Sequence, residues 1–192
     1  MIDNNIRKYY SERVKKNGRT DFLWQVGKTV NGEEVSCEQL ELIVKTIVDR
    51  LELSDKDKVL DLGCGNGLLT KKTSIFVQEI TGLDLTTELC DIAIEYNSSN
   101  NIHYINTNIF DINVKQYKNE FSKVYLYEVL QHMSLIEADK LLSILNYITS
   151  KNAIIFIGGI LDMDKKWSFY DTVEKKLQYF DTLLLGTDSI GT

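Results

Sequence analysis

Cysteine is scarce in this chain, and so are histidine, long apolar runs and positive charge. Three cysteines stand far apart (Cys37, Cys64, Cys90), an odd number with no Cys-x-x-Cys pair. That pattern indicates neither a disulfide framework nor a zinc site, and reads as reduced, mostly buried thiols. The longest apolar stretch, residues 153–157, falls far short of the roughly 20 residues a bilayer span needs. The charged, Asn-containing N-terminus does not read as a signal peptide, so the expected compartment is the cytoplasm, without a membrane partner. The net charge of −6 argues against a general binder of phosphate backbones, so a small-molecule partner is expected rather than nucleic acid.

What is present fits one domain: 192 residues, 43% apolar, enough for one sizeable core. Residues 1–35 form a separate basic and aromatic segment, read as a lid over whatever pocket the remainder builds. Arg7, Lys8, Arg13, Lys15, Lys16 and Arg19 stand there against Asp3 and Glu12. Such a run is a solvated face or, folded over a pocket, an attraction for an anionic acceptor.

From residue 36 onward the pattern alternates. Ser36 with Gln39 makes a capping box, and Leu40, Ile43, Val44, Ile47, Val48 and Leu51 recur at helical spacing, so a helix runs to about Leu53. Strand 59–62 ends at Gly63, and a helix is expected over 68–77. Strand 80–83, helix 87–96, strand 102–105 and strand 124–127 follow. Ser134 with Glu137 caps a helix to about Ile148, strand 153–157 comes next, and residues 165–184 read as a last helix. Strands separated by helices imply parallel pairing through right-handed crossovers. The fold class is therefore α/β, a doubly wound, mainly parallel sheet with helices on both faces. Ligands of such sheets sit beyond the carboxyl ends of the strands, where the loops at Gly63, Asp84, Asn108 and Tyr127 open.

The run Val59-Leu60-Asp61-Leu62-Gly63-Cys64-Gly65-Asn66-Gly67 on the first strand resembles the first motif of the class I, Rossmann-like, S-adenosylmethionine-dependent methyltransferases. Gly63 and Gly65 permit backbone approach that a Cβ would block, and the next helix N-terminus favours a carboxylate. Asp61 can pair with the cofactor's ammonium, directly or through water, or simply cap the turn. Asp84, ending the next strand, is placed to accept from ribose hydroxyls, or is an ordinary acid at a helix start. The resemblance implies that Leu85 touches the adenine face and that Asn108 and Ile109 meet its edge and ring, although many members carry Asp where this chain has Asn108. Cys64, Asn66, Gly67 and Tyr127 complete the implied S-adenosylmethionine site, and no metal is implied.

The stretch 125–133 resembles the family's fourth-strand signature. His132 there is a candidate general base on a hydroxyl or amine, or else a core histidine. Glu128 is a second acid–base candidate, or a contact to cofactor or loop; His103 is read as structural. Tyr9, Tyr10, Trp24, Trp167, Phe169 and Tyr170 are candidate pocket walls.

The absence of proline excludes the Asn-Pro-Pro-Tyr loop of amino-methylating nucleic-acid and glutamine enzymes, and the Pro-Cys nucleophile of cytosine C5 enzymes. The expected function is methyl transfer to a small-molecule oxygen or nitrogen by in-line displacement. A nicotinamide dehydrogenase is disfavoured, because Leu68 stands where its third glycine belongs. The other rival is a noncatalytic or incomplete subunit. Family members close the sheet with a C-terminal antiparallel pair for which residues 186–192 are too short. Strand 153–157 is then expected to be an open edge that further chain, or a homo- or hetero-oligomeric partner, covers.

Overall fold

The computed structural model describes residues 2–30, 32–160, 164, 167 and 170–184. Helices α1 (Ile2–Lys16) and α2 (Phe22–Gln25) lead to a two-stranded antiparallel ribbon, β1 (Thr29–Val30) with β2 (Glu33–Glu34). The alternating part follows as α3 (Cys37–Leu51), β3 (Lys58–Leu62), α4 (Leu68–Thr73), β4 (Glu79–Asp84), α5 (Thr87–Tyr96) and β5 (Ile102–Asn106). It continues with β6 (Phe121–Tyr127), α6 (Leu135–Ile148), β7 (Thr149–Gly158) and a final helix, α7 (Val173–Leu184).

The five long strands form one parallel sheet in the order β5-β4-β3-β6-β7. The order reverses on either side of β3, so the crevice above β3, β4 and β6 is the topological switch point. The doubly wound α/β reading therefore holds. Two-residue alternation divides the core between the sheet's faces. Leu60, Leu62, Val124 and Leu126 face one layer with Leu141, Leu145 and Ile148 of α6, while Val59, Ile80 and Tyr125 face the other with Ile47 and Leu51 of α3.

Both capping boxes close as their spacing demands. Ser36 Oγ accepts from Gln39 N at 3.3 Å while Ser36 N donates to Gln39 Oε1 at 2.9 Å. Ser134 and Glu137 repeat this at α6 with 3.3 and 2.8 Å. Two helices differ from expectation. The helix after the glycine turn ends at Thr73 and tightens into a 3₁₀ turn, Ser74–Phe76, because the Thr73 hydroxyl bonds back to the Leu69 and Thr70 carbonyls. The last helix, α7, runs from Val173, where the Thr172 hydroxyl accepts from Lys175 N at 3.2 Å and acts as its cap; of the expected span, residues 165, 166, 168 and 169 lie outside the described residues and Trp167 is helical. Phe169 and residues 186–192 lie outside the described residues. Among the described residues, β7 pairs with β6 alone, and the antiparallel pair present is the N-terminal ribbon. Among them, too, no helix is long and apolar enough to cross a membrane.

Candidate cofactor and acceptor cleft

The turn after β3 takes its shape from glycines at alternate positions. Gly63 and Gly67 both hold left-handed backbone, φ 76° and 77°. A Cβ on Gly63 would stand 2.4 Å from Val129 Cγ2, and one on Gly67 would stand 2.3 Å from the Tyr104 hydroxyl oxygen. The turn is laced to β4: Gly63 N and Cys64 N donate to the Leu83 carbonyl at 2.7 and 3.1 Å, and Gly65 N donates to Asp84 Oδ2 at 2.9 Å. The other Asp84 oxygen accepts from Thr86 N at 2.7 Å at the start of α5. Burial raises the Asp84 pKa, and these two backbone donors oppose the rise. Asp84 thus braces the turn and also faces the cleft.

A cleft of about 1090 Å³, counted to its open mouth, occupies the switch point. Gly63, Cys64, Gly65, Asn66, Asp84 and Leu85 line its floor. Asn108, Ile109 and Tyr127, with Glu128 and His132, line the far wall. Asn108 Oδ1 accepts from Phe110 N at 3.0 Å, which fixes its amide at that wall. Two residues that the motif places at the cofactor stand differently, in that Gly67 and Asp61 are not among the lining residues. Asp61 lies beneath the turn, 3% exposed, with Oδ2 accepting from the Thr70 hydroxyl at 2.5 Å and the Tyr125 hydroxyl at 2.7 Å. Burial pushes its pKa up to about 7 against the pull of those donors.

The N-terminal segment supplies the near wall through Ile6, Tyr10, Val26 and Lys28. Asn66 anchors it: its Nδ2 donates to the Phe22 carbonyl and to Gln25 Oε1, both at 2.8 Å. Tyr9, Trp24, Trp167 and Tyr170 do not line the cleft. Tyr9 packs edge-on to Tyr10, and Trp167 and Tyr170 pack on Tyr179. Nor does any of the six basic residues of α1 and its following turn. Arg13 donates to the Trp24 carbonyl, Lys15 lies 3.6 Å from Glu88, Arg19 pairs with Glu95, and Lys8 lies 3.9 Å from Glu12. Arg7 and Lys16 are exposed. His103 is likewise remote and pairs with Glu79 at 3.1 Å.

Nothing in the sequence marks Lys28, yet it belongs to the site. Its Nζ is buried, 2.6 Å from Glu128 Oε2 and 4.4 Å from the centre of the Tyr127 ring, and has no hydrogen-bond acceptor beyond that ion pair. Glu128 holds φ 61°, pinned by its N–H to the Gly158 carbonyl at 2.9 Å. Beside it the Tyr10 hydroxyl lies 3.3 Å from His132 Nε2, while His132 Nδ1 is buried without a partner. Burial lowers the His132 pKa, partly offset by Glu128, and the neutral imidazole is favoured. Among the described residues, no group of three His, Cys, Asp or Glu side chains is arranged to hold a metal.

A parallel α/β sheet with a glycine turn, an acid at the neighbouring strand end and a cleft between them places the candidate ligand site at the switch point of the sheet. Residues 59–151 match the family model of the methyltransferase domain, and that stretch is similar to methyltransferases among both sequence relatives and solved structures. It is similar to the ubiquinone biosynthesis O-methyltransferase of Actinobacillus pleuropneumoniae serotype 7, 28% identical over 138 residues, 69% of this chain and 53% of that protein. The protein thus spans about half the length of the curated relatives it matches. Among solved structures it resembles phosphoethanolamine N-methyltransferase 1 of Haemonchus contortus, with TM-score 0.67 and 14% identity over 81% of this chain and 32% of that one. A DhpI complex gives TM-score 0.60 and 16% identity over 87% and 70%. Those two likenesses are of fold.

Proposed function

We propose that this protein transfers a methyl group from S-adenosylmethionine to an oxygen or nitrogen of a small molecule. The observation that carries the reading is the glycine turn braced by Asp84 over an open cleft, a cradle that a Cβ at Gly63 would fill with a clash against Val129. When bound, the cofactor supplies a methyl group already activated by a sulfonium. The chain's task is then alignment and exclusion of water.

In this reading the backbone of Gly63, Cys64, Gly65 and Asn66 seats the amino-acid end, and Asp84 accepts from the ribose hydroxyls with the lone pairs its backbone donors leave. Leu85 and Ile109 sandwich the base, Asn108 reads its edge, and Asp61 acts on the ammonium from under the turn. His132 takes the acceptor's proton, with the Tyr10 hydroxyl at 3.3 Å as its relay. The O-methyltransferase relatives favour an oxygen acceptor. The cleft carries Asp84, Glu128 and Glu137 against Lys28, and Glu128 already neutralises that lysine. That balance favours a neutral or cationic acceptor over the anionic one the basic N-terminal run suggests.

Calorimetric titration with S-adenosylhomocysteine and with NAD, repeated on Asp84→Ala, tests this. Binding of the first alone, weakened about tenfold or more in the variant, is expected, since a hydrogen bond to a charged group contributes roughly 1.5–3 kcal/mol. NAD binding as well as S-adenosylhomocysteine, or neither binding, would overturn the reading.

A further inference from the structure

We infer that Tyr125 and Thr70 are positioning residues for the cofactor, acting through Asp61: their hydroxyls hold the buried carboxylate ionised beneath the glycine turn, where its charge draws the cofactor's ammonium onto the turn. The inference rests on the S-adenosylmethionine reading above and deepens it.

The geometry carries it. Tyr125, Thr70 and Thr73 are fully buried, and Asp61 nearly so. Both the Thr70 hydroxyl, at 2.5 Å, and the Tyr125 hydroxyl, at 2.7 Å, converge on the same Asp61 oxygen. Thr73 Oγ1 lies 3.0 Å from the Tyr125 hydroxyl, so the tyrosine is packed against α4 while it reaches Asp61 from β6. Three elements, β3, β6 and α4, are thereby joined at one carboxylate directly below the turn. A tyrosine on a central strand is an expensive way to fill a core unless its hydroxyl is used. Here the hydroxyl sits between Asp61 and Thr73.

Burial favours the protonated carboxyl, and two neutral donors favour the carboxylate. The other groups facing Asp61 all oppose ionisation or are neutral. Asp84 from β4 raises its pKa, the Cys64 thiol of the turn is itself pushed up by burial, and Tyr104 from β5 is pushed up for the same reason. With Asp61 near 7, neutral pH is the range in which the donors decide its charge. A cationic ligand end binds the ionised form better. Affinity therefore rises with pH up to the Asp61 pKa of the free protein and levels off above it. Removing a donor moves that plateau to higher pH.

The test is calorimetric titration with S-adenosylhomocysteine from pH 6 to 9 on wild type, Tyr125→Phe, Thr70→Val and Asp61→Asn, each checked by circular dichroism. The ligand's own ammonium titrates identically against all four, so differences belong to the protein. For Tyr125→Phe and Thr70→Val we expect about tenfold weaker binding near pH 6.5 for each unit by which the profile moves, with recovery above pH 8.5. Asp61→Asn loses affinity at high pH and loses the protein's share of the pH dependence. A uniform loss at every pH, or no change, in either hydroxyl variant overturns the positioning role and leaves ordinary packing. Tyr125→Phe failing to fold leaves Thr70→Val to decide. Wild type that does not bind S-adenosylhomocysteine at any pH overturns the cofactor reading itself and this inference with it.

Discussion

Breaking the Lys28–Glu128 pair from its two ends should give unequal losses of stability. The lysine side chain is 8% exposed and the glutamate 38%. Glu128→Gln keeps the side-chain shape and the left-handed backbone but strips a buried ammonium of its counter-charge. Removing one partner of a fully buried pair costs roughly 3–5 kcal/mol, and water reaching the glutamate side reduces that here to about 2 kcal/mol. Lys28→Met keeps most of the volume and leaves Glu128 free to turn toward water. It forfeits a partly exposed ion pair and the contact with the Tyr127 ring, together about 1 kcal/mol. Urea unfolding at pH 7 measures both. In thermal unfolding, a domain of this size shifts by roughly 2–4 °C per kcal/mol. The pH dependence supplies a second, sign-definite check. Burial lowers the Lys28 pKa below its ordinary 10.5, so between the two values the unfolded chain binds more protons and stability rises with pH. Without Glu128 to raise it, that pKa falls further, so Glu128→Gln should gain stability over a wider range below pH 10.5 than wild type, and Lys28→Met should lack the gain. Equal losses from both variants, or parallel pH profiles, would refute the account of Lys28 as a buried, singly partnered cation.

Three further outcomes are expected. Gly63→Ala incurs about 1–2 kcal/mol of left-handed strain plus displacement of Val129, and should weaken S-adenosylhomocysteine binding at least about tenfold by titration. Unchanged binding would mean that this turn is not the cofactor's seat. His132→Asn should reduce turnover about 10²–10⁴-fold at unchanged S-adenosylhomocysteine affinity. In wild type, at saturating S-adenosylmethionine, the acid limb of kcat/KM for the acceptor should fall below 6.5, since burial lowers the His132 pKa and the base is lost as pH drops through that lowered value. Ser134→Ala should cost about 1 kcal/mol in denaturation, because only the α6 cap is removed.

The elements that could be read from the chain are those whose cause is local. Capping boxes set the starts of α3 and α6 within four residues of sequence, and the apolar runs that became β3 and β4 needed only burial on both faces. The glycine turn and Asp84 were legible for the same reason. The placement of Asp61 was partly legible. Leu60 and Leu62 face α6, so strand alternation alone turns Asp61 to the opposite face, under α4, while its hydroxyl partners Thr70 and Tyr125 come from elements the motif does not include. The 3₁₀ turn after α4 and the start of α7 at Val173 hinge on threonine hydroxyls whose bonds depend on rotamer as much as on spacing.

Lys28 shows why the acceptor side resists such reading. In the sequence it is one lysine in a polar stretch, Gly27-Lys28-Thr29, with no periodicity to mark it. It becomes a buried cation only because Asn66 holds Phe22 and Gln25, Arg13 holds Trp24, and the short ribbon β1–β2 then brings the chain across the cleft to Glu128. Ile6, Tyr10 and Val26 reach the cleft by the same docking. All four lie before residue 59, where the match to the methyltransferase-domain model begins. In the proposed reading the cofactor end is built from the loops after β3, β4 and β5, all inside the matched core, and the near wall of the cleft from a segment outside it. Acceptor selectivity can therefore diverge in residues 1–35 without touching the turn that seats the cofactor, and substitutions at Tyr10 and Lys28 should change which acceptor is methylated before they change what donates the methyl group.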